Sequence, residues 1–303
     1  MPVTEVLKGF RGRWREQEPL AGHTTWRIGG PADLYVLPLD RQDLVLIVQN
    51  CLRCGVPWTV LGAGSNVLIA DQGIRGVVIG LADGFRYKQR SGYQVTAGAA
   101  VGLPGLARWT VWQGLAGLEF AAGIPASLGG AVMMNAGAHG AAVGERVLAV
   151  ELVNEHGAIE TVAAEELQFT YRHSRLQKRR CIVTEVQLQL TDGVVADMEA
   201  AMAKALARRR ATQPLEWPNA GSVFLNPPGD SAGRLIEAAG LKGYRIGGAE
   251  VSNRHANFIV NAGGATATDV LALIALIQQR VLAASGVELC TEIQLVGDTG
   301  RAE

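Results

Sequence analysis

The sequence predicts an α+β fold, with a larger, two-lobed domain over residues 1–193 followed by a smaller α/β domain over 194–303. Three observations carry the prediction. The chain opens with a strand, helix, strand unit, its middle is rich in strands, and its final third alternates helices with strands. The two lobes, about 1–82 and 83–193, are drawn around two glycine-rich stretches, 61–71 (LGAGSNVLIAD) and 123–140 (GIPASLGGAVMMNAGAHG).

A Gly29-Gly30-Pro31 turn precedes a run in which Leu34 and Val36 alternate with polar neighbours, as in a strand. Residues 40–54 read as a helix, because Leu44, Ile47, Val48 and Cys51 share a face, Asp40 can cap the start and Gly55 follows the end. The strand 57–61 completes the first unit. Short strands follow at 77–79 and 93–97, then a helix over 103–114 that runs into the second glycine stretch. Residues 146–154 and 160–162 form a hairpin around Glu155-His156-Gly157, and 181–190 alternates as another strand.

A helix over 195–212 carries Met198, Met202 and Leu206 at helical spacing, which reads as core, and it sets the domain boundary near Gly193. The last third brings a helix at 232–239 ending at Gly240, a strand at 256–260 and a long helix at 268–285 ending at Gly286. The final strand, 287–296, can dock back on the first lobe.

The 303 residues carry 28 Lys and Arg against 28 Asp and Glu, and 48% are hydrophobic. Such a chain has ample material for a core and, being neutral overall, no electrostatic footprint for nucleic acid. Arg208-Arg209-Arg210 reads as a solvated helix end. The N-terminus has no apolar segment of signal-peptide length, and the apolar run 270–277 is too short to span a bilayer. A cytoplasmic monomer without membrane or nucleic-acid partners is the expectation. Cys51 and Cys54 form a CxxC pair without a second pair or nearby histidines, so they read as small buried hydrophobes, and no metal site is expected.

Glycine clusters mark special dihedrals, close packing, or a group that approaches too closely for a Cβ. One such stretch reads first as a tight turn and buried helix, but two together point to one extended anionic ligand. Successive backbone N–H groups form concavities that hold phosphate, and Ser65 and Asn66 add side-chain donors. A Rossmann fingerprint does not fit, because Gly62-Ala63-Gly64 is followed by Ser65-Asn66-Val67 and a strand-like run where GxGxxG must open a helix. No GK[ST] follows, which excludes a P-loop.

Four further clusters carry polar chemistry. Tyr171-Arg172-His173-Ser174 offers an Arg fork for a carboxylate or phosphate, or else a surface ion pair. Ser222, beside Gly221 in a loop with Pro214, Pro218, Pro227 and Pro228 around it, is either a turn serine or a hydroxyl held at fixed geometry. Residues 243–256 (GYRIGGAEVSNRHA) hold Glu250, Ser252, Asn253, Arg254 and His255. Glu292, within LCTEIQLV, either faces solvent or sits in a site, and alternation permits both.

Seven motifs in order, TTWRIGGPAD, LGAGSNVLIAD, GLEFAAGIPASLGGAVMMNAGAHG, YRHSRL, NAGSVFLNP, GYRIGGAEVSNRHANFIVN and TEIQLVG, resemble the UDP-N-acetylenolpyruvoylglucosamine reductases of peptidoglycan synthesis over nearly the whole chain. The lack of a longer insert in the last domain is similar to the shorter of the two family types. The resemblance implies a two-lobed FAD-binding domain of the vanillyl-alcohol-oxidase type over 1–193 and a substrate-binding domain over 194–303. Arg27, Gly62, Ala63, Gly64, Ser65 and Asn66 would meet FAD, as would Gly123, Ile124, Pro125, Ser127, Gly129, Gly130, Asn135, Gly137, His139 and Gly140.

The implied reaction begins when NADPH reduces FAD and leaves, and the sugar nucleotide takes its place. Hydride then passes from flavin N5 to the terminal vinyl carbon of the enolpyruvyl ether, and the product is UDP-N-acetylmuramate. By motif match Arg172 and Glu292 stabilise the enol-like carboxylate and Ser222 protonates the other vinyl carbon, with Tyr171, Asn226, Glu250 and His255 on the substrate side. In that role Glu292 would be protonated, which requires a raised pKa. Two positions depart from the pattern: Leu225 stands where the family commonly has lysine, so that Arg254 or Lys242 would have to cover, and Glu250 stands where it often has glutamine. An alcohol-oxidising flavoenzyme of the same fold and a flavin or nucleotide-sugar binder without turnover are the alternatives. NAGSVFLNP and TEIQLVG argue against the first, and the joint presence of Arg172, Ser222 and Glu292 against the second.

Overall fold

The computed structural model describes residues 2–297. The chain forms two compact units, each built from several segments. One comprises Met1–Glu16, Leu34–Ala63 and Gly76–Arg209, the other Gln17–Asp33, Gly64–Arg75 and Arg210–Glu303.

In the first unit, a four-stranded sheet has the order β1-β2-β5-β3, from β1 (Arg13–Pro19), β2 (Pro31–Leu37), β3 (Trp58–Leu61) and β5 (Ile74–Gly80). Helix α1 (Arg41–Cys54) starts as expected, with the Asp40 carboxylate accepting from Asp43 N, and ends at Gly55 with φ 64°. Its apolar face joins Leu34, Val36, Val77 and Ile79 in one core. Cys51 lies in that core, where burial pushes its thiol up to about 12, so it behaves as a hydrophobe.

A second, antiparallel sheet has the order β12-β11-β13-β7-β6. Its strands are β6 (Lys88–Ser91), β7 (Gln94–Gly98), β11 (Val147–Asn154), β12 (Ile159–Ala163) and β13 (Cys181–Gln189). Helices α2 (Leu103–Trp112) and α3 (Leu128–Met133) share its core. Two short ladders complete this part, β8 (Leu115–Ala116) with β14 (Thr191–Asp192) and β9 (Gly137–Ala138) with β10 (Ala141–Ala142). Arg41 ties α1 to the sheet through Glu151 at 2.5 Å and Glu185 at 2.8 Å. Helix α4 (Val195–Thr212) buries Met198 and Met202 against Val111 and Ala122.

In the second unit, β4 (Val67–Ile69) pairs in parallel with β18 (Gln294–Val296), Leu68 opposite Leu295. β15 (Arg245–Ile246), β16 (Ala249–Val251) and β17 (Ile259–Asn261) form a three-stranded sheet. Helices α5 (Ala232–Ala238) and α6 (Ala267–Ser285) complete the unit. α6 has 19 residues and a mean hydropathy of 1.4, long and apolar enough to cross a membrane by length and composition, and so longer than the apolar run alone indicates. In this fold its Val270, Leu273, Ile274 and Ile277 are buried in a core with Trp26 and Leu68.

The last strand is shorter than its alternation predicts. The backbone ahead of it pairs with the serine loop instead, Glu292 N–H donating to Val223 O at 2.8 Å and Leu225 N–H to Cys290 O at 2.9 Å.

Candidate active site

The loop after β3 leads into β4, a strand where a Rossmann chain has a helix. Among the described residues, the N–H groups of Gly62, Ala63, Gly64, Ser65 and Asn66 meet no protein acceptor. Five successive N–H groups without a protein acceptor form the kind of concavity that binds a diphosphate, and with Gly62 and Ala63 exposed they are open to a ligand from solvent, so the loop fits FAD. The glycines themselves have protein reasons. A Cβ at Gly64 would lie 2.0 Å from His23 O, and one at Gly62 would lie 2.7 Å from Ser127 Oγ. Asn66 is turned inward: its Nδ2 donates to Glu292 O at 3.2 Å and its carbonyl accepts from Gln294 N at 2.9 Å.

In the second glycine stretch, Ser127 caps α3 by accepting from Gly130 N. Leu128 N and Gly129 N donate to Val101 O and Ala99 O, so this backbone lies against the end of β7, and a Cβ on Gly129 would come within 2.9 Å of Ala99 Cβ. Packing thus accounts for Gly129. Residues Glu119–Gly123 form a 3-10 turn, and Ile124 and Pro125 follow it as extended chain. His139 and Gly140, with φ 57° and 85°, are the exposed turn of the β9-β10 hairpin, a two-residue reversal of the kind that needs positive φ at both positions.

The same stretch holds the Arg172 turn. Asn135, buried and itself at φ 43°, donates from Nδ2 to Thr170 O at 2.7 Å and accepts from Gly144 N at 2.9 Å. The buried Ser174 donates to Met133 O at 2.7 Å, and Gln177 Nε2 bridges Met133 O and Arg172 O. Arg172, at φ 54°, donates from Nη1 to Gly137 O at 2.9 Å and lies over the Tyr171 ring. Arg27, Asn135, His139 and Arg172 are four of the six non-glycine residues with positive φ among those described. Such conformations are costly and concentrate where function fixes the chain.

In the second unit Ser222 follows Gly221, at φ 78°, whose N–H donates to Asn219 Oδ1. Asn257 grips the next two residues: Val223 N donates to its carbonyl, Phe224 N donates to Oδ1 at 2.9 Å and Nδ2 donates to Phe224 O at 2.8 Å. Glu292 N holds Val223 from the other side, so Ser222 and Glu292 lie on adjoining, hydrogen-bonded backbone. A cleft of about 340 Å³ is lined by Ser222, Asn226, Arg234, Arg254, His255 and Asn257, among others.

Within this unit Asn226 Oδ1 accepts from Ala232 N at the start of α5, and Arg254 Nη1 donates to Arg210 O and Gln213 O. Glu250 accepts from Asn253 at 3.3 Å. Burial lowers the pKa of His255, whose Nδ1 accepts from Asn257 N at 3.2 Å, which favours the neutral ring with its proton on Nε2. Lys242 pairs with Glu237 at 2.7 Å. A larger cleft of about 390 Å³ in the first unit, lined by Glu166, Arg175, Lys178 and Arg179, includes none of the expected residues.

Asn257 and Gln177 brace these candidate loops and were not singled out in the sequence. The one available signal was an asparagine in the apolar run 256–260. Among the described residues no group of His, Cys, Asp and Glu is placed to hold a metal, and all four cysteines are free.

Residues 32–163 match a model described as an FAD binding domain, and 213–296 one described as the C-terminal domain of UDP-N-acetylenolpyruvoylglucosamine reductase. The chain is 55% identical to the UDP-N-acetylenolpyruvoylglucosamine reductase of Heliobacterium modesticaldum, over 98% of this chain and 95% of the relative. It is 48% identical to that of Bacillus licheniformis, over 98% of each. The crystal structure of the Thermus caldophilus reductase superposes with a TM-score of 0.82 at 38% identity, covering 94% of this chain and 99% of that one. Fold and family matches therefore define an FAD-binding oxidoreductase. The chain belongs to the UDP-N-acetylenolpyruvoylglucosamine reductase family.

Proposed function

We propose that this chain uses NADPH to reduce UDP-N-acetylenolpyruvoylglucosamine to UDP-N-acetylmuramate, as a cytoplasmic monomer, with 1–193 binding FAD and 194–303 binding the sugar nucleotide. The observation that carries the reading is the backbone network joining Asn66, Glu292 and Val223, which ties the donor loop, the acid and the serine loop together. FAD, held by the 62–66 loop, would supply the hydride-transfer chemistry between NADPH and the vinyl carbon. The reduction adds one hydride and one proton across the carbon–carbon double bond. Ser222 gives the proton, Arg172 supplies fixed positive charge to the substrate carboxylate, and Glu292 donates a hydrogen bond to it when protonated. A fixed backbone at Ser222 supports the role, since a weakly acidic hydroxyl must be held in place to protonate carbon. The cations Arg234 and Arg254 and the neutral His255 line the same cleft and suit an anionic sugar nucleotide.

The test is anaerobic. The yellow holoprotein should bleach with NADPH and regain its colour when UDP-N-acetylenolpyruvoylglucosamine is added. Flavin that bleaches but stays reduced would remove the substrate assignment and favour the alcohol-oxidising alternative.

A further inference from the structure

Of the first motif, TTWRIGGPAD, only Arg27 is expected to meet a ligand, yet Thr25 stands between the donor loop and the serine loop. Its backbone N–H donates to Gly64 O at 3.0 Å, and its hydroxyl donates to Asn219 O at 2.7 Å. Gly64 O also lies 3.4 Å from the hydroxyl, but a hydroxyl has one proton and the amide already serves that carbonyl, so the proton belongs to Asn219. Asn219 in turn accepts, through Oδ1, from the N–H of Gly221, the residue before Ser222, at 3.0 Å. Two residues therefore link the 62–66 loop to the candidate proton donor.

The link has little slack. Threonine is stiff at χ1, and the half-buried Thr25 is followed by the buried Trp26, whose Nε1 donates to Ile259 O at 2.9 Å and whose carbonyl accepts from Asn261 Nδ2 at 3.1 Å. Gly64 presses on the same segment, where a Cβ would lie 2.8 Å from Thr24 Cα. On the other side of Ser222, Val223 O accepts from Glu292 N, and Glu292 O accepts from Asn66 Nδ2. The serine loop is thus tied to the donor loop both before and after Ser222. One tie fixes a distance and leaves rotation about it, whereas two fix an orientation as well, which proton delivery to carbon needs.

We propose that Thr25 is a positioning residue, whose hydroxyl, by holding Asn219, sets Ser222 relative to the 62–66 loop. This rests on the assignment of Ser222 as proton donor to the sugar nucleotide.

Thr25→Val keeps the shape and the N–H to Gly64 and loses the hydroxyl, while Thr25→Ser keeps the hydroxyl. Both are to be compared with the wild-type holoprotein by hydrogen exchange and by the two anaerobic half-reactions. In Thr25→Val the amides of residues 220–222 should exchange roughly fivefold faster, the worth of one hydrogen bond, with those of 67–69 unchanged. FAD content and bleaching by NADPH should match wild type, and reoxidation by saturating UDP-N-acetylenolpyruvoylglucosamine should slow by about tenfold, from a misplaced donor. Thr25→Ser should recover most of both losses. Unchanged exchange in Thr25→Val would overturn the proposal, as would bleaching and reoxidation slowed alike, a defect confined to the KM for the sugar nucleotide, or a Thr25→Ser variant no better than Thr25→Val. A Thr25→Val chain that does not fold or hold FAD would overturn it too, because the bond to Gly64 is still made. Wild-type holoprotein that the sugar nucleotide does not reoxidise would instead remove the substrate reading, and hydrogen exchange would still decide whether Thr25 holds the serine loop.

Discussion

Asn257 gives both ends of its side-chain amide to Phe224, two residues beyond the candidate proton donor. It is 3% exposed, so water cannot replace it. Asn257→Leu would leave a buried backbone N–H and C=O unpaired, at about 1–3 kcal/mol each. Thermal or urea unfolding should show that loss, and an unchanged stability would mean that the loop has another support. His255, next to it, is a pH-dependent element. Its pKa is lowered by burial, so the unfolded chain protonates first, and stability is lost as pH falls from about 6.5 toward the folded value and then levels. His255→Asn, which keeps an acceptor for Asn257 N, should flatten the melting temperature between about pH 7 and pH 5. A profile as steep as wild type would assign the slope to other groups.

Among the elements, the first glycine loop and α6 meet through Asp71. Its carboxylate accepts from Ala267 N at 2.7 Å, from Thr268 N at 2.9 Å and from Thr268 Oγ1 at 2.7 Å, so the residue that closes LGAGSNVLIAD also caps the longest helix of the second unit. Asp71→Ala should cost roughly 0.5–2 kcal/mol in unfolding experiments, as the loss of a helix cap does. Elements of this kind were legible. Asp40, Gly55 and Gly286 punctuate their helices as capping chemistry requires, and α4 spans the residues its periodicity indicates.

The last strand was not legible. Alternation over 287–296 cannot tell a ladder partner from a loop, and 290–292 bonds to 223–225. The glycines were expected to mark special dihedrals or a close approach, and Gly140, at φ 85° with open space around it, is of the first kind. At Gly64, Gly129 and Gly137, however, the group that approaches is the protein's own chain, and the run of N–H groups at 62–66 without a protein acceptor is something a sequence does not display.

At the scale of the whole molecule, a single cut near Gly193 has no way to express a chain in which Gln17–Asp33 and Gly64–Arg75 pack with the C-terminal part. Such returns depend on contacts distant in sequence, the Trp26 indole donating to Ile259 O and β4 pairing with β18 among them. The motifs are a different matter, since their order alone was enough to expect the family. FAD should stabilise the folded chain by linkage, by about 2.7 kcal/mol when free FAD is a hundredfold above its Kd. Stripping the flavin should lower the melting temperature and adding it back should restore it. An apoprotein that melts with the holoprotein would contradict a folded-state donor loop.

On the proposed mechanism Ser222 serves the substrate half of the reaction and not the flavin half. Stopped-flow measurement of Ser222→Ala under anaerobic conditions tests it most directly. The variant should show full FAD content, bleaching by NADPH at the wild-type rate, and reoxidation by UDP-N-acetylenolpyruvoylglucosamine slowed by at least about a hundredfold, as for loss of a general acid. Wild-type reoxidation, or a defect in bleaching instead, would contradict it.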